Sequence, residues 1–133
     1  NADKLNICKV DVGEDEPVQI VCGAPNVDAG QTVIVARVGG RLPGGVKIKR
    51  AKLRGEVSEG MICSLQEIGI SNQLTPKHFE NGIFVFPEAV TPGTDALAAL
   101  YLDDQVMEFD LTPNRADALS MIGTAYETAA LYM

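Results

Sequence analysis

Arg37, Arg41, Lys47, Lys49, Arg50, Lys52 and Arg54 place seven of the chain's eleven basic residues in one eighteen-residue window that holds no acid. Cations at that density draw in a polyanion through its backbone charge. The other bases, Lys4, Lys9, Lys77 and Arg115, stand against eighteen acids, and the net charge is −7. A polyanion is therefore repelled almost everywhere and attracted at this ribbon. The other reading of the same residues is a solvated pair of strands whose Lys and Arg guard an exposed edge.

Beside the ribbon, Met61 sits between two serines in Ser58-Glu59-Gly60-Met61-Ile62-Cys63-Ser64. One reading is a core methionine after a turn glycine. The other is a surface on which Ser58 and Ser64 offer hydroxyls and Met61 a soft apolar face. A nucleic-acid surface needs such neutral contacts to position a sugar or a base.

Other chemistry fails on spacing. Gly40-Arg41-Leu42-Pro43-Gly44-Gly45-Val46-Lys47 is glycine-rich but is not a phosphate-binding P-loop. That motif needs Lys directly after the last Gly, then Ser or Thr to reach the metal. Cys8, Cys22 and Cys63 are odd in number, have no CxxC spacing, and cannot be completed into a zinc site by one histidine, His78. All three read as buried thiols in a reducing compartment. His78 reads as an ordinary loop residue. The pairs Asp103-Asp104 and Glu108/Asp110 fit a linker and a solvent face, since no third acid or histidine accompanies them. These residues hold no catalytic constellation, no metal site and no cofactor site.

Positioning the ribbon falls to short strands. Hydrophobic residues make up 46% of 133 residues, enough for the core of one domain with an appendage. Trp is absent and aromatics are few, so stacking sites for unpaired bases are few. There is no secretory signal and no apolar run long enough to span a bilayer. Asn1 at the start, where Met would stand, points to a piece of something longer. Short apolar and β-branched runs bounded by turn residues predict strands over 5–12, 17–22, 32–38, 46–49 and 60–64, and a short strand over 83–86; 46–49 alternates strictly. In the ribbon, Val46 and Ile48 face inward and Lys47 and Lys49 outward. Residues 51–55 continue the pattern after a bulge at Arg50. Leu65 to Gly69 reads as one helical turn, and Thr94 as the cap of a helix over 95–101. Val106 to Leu111 alternates as a half-exposed strand. Asn114 with Asp117 resembles a capping box for a helix over 115–133. Its stripe is Ala118, Leu119, Ile122, Ala125, Tyr126, Ala129 and Met133. The fold class is mainly β: a partly open OB-type barrel over 1–103, with a sandwich as the alternative, then a strand–helix piece over 104–133.

Several stretches carry a family resemblance. Asn1-Ala2-Asp3-Lys4-Leu5 and Lys9-Val10-Asp11-Val12-Gly13 resemble the opening of a tRNA-binding OB domain. Ile20 to Val27, Leu42-Pro43-Gly44-Gly45, Ala51 to Gly55 and Ser58 to Ser64 match it as well. That domain occurs as a free tRNA-binding protein, in methionyl-tRNA synthetases, and in the bacterial phenylalanyl-tRNA synthetase beta chain. Glu108-Phe109-Asp110-Leu111-Thr112-Pro113-Asn114-Arg115-Ala116-Asp117-Ala118-Leu119-Ser120 looks like the last of these, at the exit from its OB insert.

The resemblance implies a cytoplasmic α2β2 ligase that joins phenylalanine to its tRNA with ATP and magnesium. Its synthetic site would lie on the alpha subunit and its editing site further along the beta chain. This piece would then be no enzyme itself and hold no cofactor, with tRNA and the alpha subunit as partners and no membrane contact. The family's barrel begins with a strand upstream of the Asn1 motif, so an incomplete barrel that self-associates is expected. The expected RNA contacts are the seven ribbon cations with Ser58, Met61 and Ser64. The competing expectation is a docking module with little RNA affinity, which the net charge of −7 favours.

Overall fold

The computed structural model describes residues 5–106 and 108–132. The chain divides into two units, Asn1–Asp103 and Asp104–Met133. The first is built of short strands and the second of helix, so the molecule is mainly β with few helices. Among the described residues no helix is long and apolar enough to cross a membrane.

In the first unit, β1 (Asn6–Val10) pairs antiparallel with β2 (Val18–Cys22), with Cys8 opposite Ile20. The alternation of Ile20 and Cys22 drives two side chains of β2 inward, and both are buried. β3 (Val35–Arg37) pairs with β6 (Gly60–Ile62), and β4 (Ala51–Leu53) with β5 (Glu56–Ser58). Single contacts stitch these ladders together. The Glu59 N–H donates to the Gln19 carbonyl at 2.8 Å, and the Cys63 N–H to the Ile34 carbonyl at 2.9 Å. The Phe84 N–H donates to the Cys63 carbonyl and the Phe86 N–H to that of Thr32. Ile20, Cys22, Ile62 and Ile83 form the core cluster where these strands converge. Among the described residues the ladders close no barrel.

Several expected elements are shorter than their patterns. Residues 32–38 yield only β3 and a bridge between Val33 and Val85, and that bridge is all that forms of the expected strand over 83–86. Residues 46–49 form no strand beyond a bridge from Lys47 to Arg41. Ile48 is buried as expected, but Val46 is 55% exposed, because it closes a glycine-rich loop with no core beneath it. Every residue of β4 is exposed, so alternation there has no inner face. Residues 65–69 make a turn rather than helix, ended at Gly69, whose φ is +97°. Helix α1 (Ala96–Ala99) is capped by Asp95, not Thr94; its carboxylate accepts from the N–H groups of Leu97 and Ala98. Cys8 is half-buried, not buried, as befits an edge strand.

In the second unit, the described part of 106–111 forms no strand, and Met107 lies outside the described residues. A strand needs a partner ladder, and none reaches it. Asn114 and Asp117 form no capping box. Thr112 Oγ1 donates to Asn114 Oδ1, and Asp117 is taken by Arg115. The predicted helix breaks at Ser120 into a 3-10 turn (Ala116–Leu119) and α2 (Met121–Tyr132). Ser120 is extended, and its hydroxyl accepts from the Gly123 N–H at 3.0 Å, the geometry of an N-cap. Leu119, Ile122 and Tyr126 of the stripe are exposed, while Ala118 is buried. Met133 lies outside the described residues.

Candidate nucleic-acid interface

Two hairpins carry the ribbon. In the first, the Ile48 N–H donates to the Gly40 carbonyl and the Gly39 N–H to the Ile48 carbonyl, both at 2.9 Å. The Leu42 N–H donates to the Val46 carbonyl at 2.8 Å, closing a tight loop over Pro43–Gly45. Gly44 and Gly45 both have φ near +80°, which a Cβ would oppose. This loop sets Arg41 and Lys47 opposite each other in an antiparallel bridge. Like charges directly across a ladder repel, so the arrangement costs stability unless an anion lies over it.

The second hairpin joins β4 to β5 through Arg54 and Gly55, with Leu53 opposite Glu56. Both turn residues have positive φ, +49° at Arg54 and +93° at Gly55. A two-residue loop with that geometry matches the twist of the strands, and Asn-Gly is its usual occupant. Arginine in the left-handed region is strained by roughly 1 kcal/mol. It places a cation at the tip of the hairpin.

Ion pairs divide the seven cations. Arg37 pairs with Glu14, and Arg50 with Glu59 at 3.0 Å. Arg41, Lys47, Lys49, Lys52 and Arg54 are exposed and have no carboxylate partner among the described residues. Five charges of one sign are thus left for solvent or ligand.

The neutral residues behave differently. Ser58 is 3% exposed. Its hydroxyl accepts from the Val21 N–H at 3.0 Å and donates to the Gly60 carbonyl at 2.9 Å, so it splices β2 to the start of β6. Gly60 must be glycine there, since an added Cβ would sit 2.9 Å from the Ala36 carbonyl oxygen. Ser64 caps the turn over 65–69 in a reciprocal pair: its N–H and hydroxyl both donate to the Glu67 carboxylate, and the Glu67 N–H donates back. Met61 is half-buried in β6 opposite Ala36. The cations therefore stand exposed at the surface, Ser58 lies inside, and Ser64 is engaged in its turn.

A groove of about 1230 Å³ lies in the same unit, lined by β1, by β3 and by residues 90–97. Arg37, Arg41, Pro43 and Phe86 are on its walls. β1 has β2 as its only ladder partner among the described residues, and β3 has only β6. The groove is thus flanked by two open strand edges. Burial raises the Cys63 thiol to about 11, helped by the nearby Glu67 carboxylate. Burial also raises Cys8, with Cys22 adding to it. Neither thiol is poised as a nucleophile, which needs the thiolate. Among the described residues no three His, Cys, Asp or Glu side chains converge on a metal position.

Sequence reasoning missed two features of this unit. Period-two spacing of Phe84 and Phe86 could have marked them as a pair sharing one face. Arg54-Gly55 between short alternating runs could have marked the turn.

Comparison with known proteins places these features. A family model described as "Putative tRNA binding domain" matches residues 1–95. The chain is 86% identical over 132 residues to a phenylalanine–tRNA ligase beta subunit of Staphylococcus epidermidis (strain RP62A). It is 85% identical over 132 residues to that of Staphylococcus aureus (strain USA300). Each match covers 99% of this chain and 16% of the relative, so the chain spans about a sixth of the length of the curated relatives it matches. The chain belongs to the tRNA-binding domain family.

Proposed function

We propose that this member of the tRNA-binding domain family is an auxiliary RNA-binding module that grips the phosphate backbone through its two cationic hairpins. The observation that carries the reading is the Arg41–Lys47 bridge in a chain of net charge −7. Two cations are held face to face with no acid among the described residues to relieve them. A phosphate between them turns repulsion into two charge-assisted contacts. Arg41, Lys47, Lys49, Lys52 and Arg54 supply the free charge; Arg37 and Arg50 become available only by leaving Glu14 and Glu59. Met61 and Ser64 contribute at most neutral neighbours, and Ser58 acts through the fold.

In this reading the first unit is an OB-type barrel left open between β1 and β3. The larger protein is a cytoplasmic phenylalanine–tRNA ligase beta subunit, partnered by tRNA and by an alpha subunit. ATP and magnesium serve the ligase chemistry of that larger protein.

Titrating the 133-residue chain with tRNA over a range of salt tests the reading. Neutralising about three to five phosphates gives a log–log slope of roughly −2 to −5. A salt-independent affinity, or none at low salt, overturns it. The second reading, a docking module of the synthetase with little RNA affinity, draws on the acidic pI near 4.6; it predicts no binding at any salt.

A further inference from the structure

We propose that His78, Phe79, Phe84 and Phe86 form a stacking face for unpaired bases of an RNA strand whose phosphates follow the cationic hairpins. This deepens the RNA-binding reading and rests on it. Ring centroids lie 4.0 Å apart from His78 to Phe79, 4.9 Å from Phe79 to Phe84 and 5.1 Å from Phe84 to Phe86. Four rings thus make one continuous row in a chain with only four phenylalanines and no tryptophan.

The row is not the core. Ile83 belongs to the core cluster and Val85 packs against it, and none of the four rings does either. In extended chain successive side chains point to opposite faces, so Phe84 and Phe86 turn away from the cluster that Ile83 and Val85 face. The Phe84 N–H bonded to the Cys63 carbonyl and the Phe86 N–H bonded to that of Thr32 hold the segment in that orientation. The three phenylalanines are half-buried and His78 is exposed, so ring surface remains open to a ligand.

Placement supplies the link to RNA. Phe86, at one end of the row, and Arg41, in the like-charge bridge, line the same groove. Single-stranded nucleic acids are bound by such a combination, a cationic track for the backbone and aromatic faces for successive bases. Double helices keep their bases stacked inside and cannot use the row. The ligand is therefore an unpaired RNA segment, taken with little regard to sequence.

The test compares a short labelled oligouridylate with a short RNA duplex at low salt, by fluorescence anisotropy. Three variants of the 133-residue chain are used: His78→Ala, Phe84→Leu and Lys47→Glu. His78 is exposed and Phe84→Leu keeps apolar volume, so circular dichroism should be unchanged in both. Each is expected to weaken oligouridylate binding roughly fivefold to a hundredfold, the range for losing one stacked base, and to leave duplex binding within about twofold. Lys47→Glu should weaken both. If the aromatic variants lower neither, or lower both alike, the stacking face is overturned while the cationic reading stands. If the unaltered chain binds neither RNA, both fall together.

Discussion

The side-chain amide of Asn26 pairs with the backbone of Ile83 on both sides: Nδ2 donates to the Ile83 carbonyl at 2.8 Å, and Oδ1 accepts from the Ile83 N–H at 3.0 Å. One side chain does what a neighbouring strand would do for a core residue that is 3% exposed. Asn26→Asp removes the donor and aims a carboxylate at a carbonyl. It is expected to cost about 1–3 kcal/mol in urea unfolding, the penalty for leaving a buried polar group unpaired. Gly82→Ala should disrupt the same pair, because its Cβ would fall 2.2 Å from Asn26 Oδ1.

Ser58 and Ser64 separate by environment. Ser58→Ala leaves the Val21 N–H without its acceptor inside the fold and should cost about 1–3 kcal/mol. Ser64→Ala removes an exposed turn cap and should cost about 0.5–1 kcal/mol. If Ser58→Ala proves neutral in stability and instead weakens RNA binding, its role is at the surface after all.

These serines show what was and was not readable beforehand. β1, β2 and β3 follow from runs rich in β-branched residues, and the cationic window follows from composition. Val46 and the residues of β4 also alternate, yet alternation records only that a strand could bury one face. Whether a core lies beneath depends on contacts far along the chain. The same holds for Ser58, whose hydroxyl is claimed by Val21, thirty-seven residues away. Asn114 and Asp117 had the spacing of a capping box, but Thr112 and Arg115 compete for them and the helix starts beyond Ser120.

Two substitutions should improve the fold while damaging the interface. Lys47→Glu converts the repulsive pair with Arg41 into an attractive one, a gain of about 0.2–1 kcal/mol. Arg54→Asn places the preferred residue in the turn and relieves roughly 1 kcal/mol of backbone strain. Both should raise the urea midpoint and lower tRNA affinity at low salt. A variant that loses stability, or that keeps full affinity, contradicts the assignment of these cations to binding.

Stability should fall at high pH through Cys63. Its thiol is raised in the folded protein from about 9 to about 11, chiefly by burial. The folded state therefore keeps its proton where the unfolded chain loses it. The contribution is full below pH 9 and is lost as pH rises from 9 towards 11. Urea midpoints of the native chain and of Cys63→Ala at pH 8 and pH 10.5 test this: the native chain should lose more on raising the pH. An equal loss in both removes Cys63 as the cause.

Self-association is the last expectation, and two independent surfaces argue for it. In the first unit, the open edges of β1 and β3 leave N–H and C=O groups that template pairing with another chain. In the second unit, Leu119, Ile122 and Tyr126 are 75%, 71% and 75% exposed, and Leu131 is exposed too. Fully burying such side chains gains on the order of 1.5–3 kcal/mol each. A second copy can cover the face with its equivalent, which favours a two-fold dimer. Sedimentation velocity at micromolar concentration should show a dimer. Ile122→Glu, at an exposed position, should split it without lowering helicity if the helix face is the contact. If that variant remains dimeric, the strand edges are the contact, and Ile7→Lys on β1 should split it instead. A monomer across the concentration range shows that neither surface pairs with its own copy.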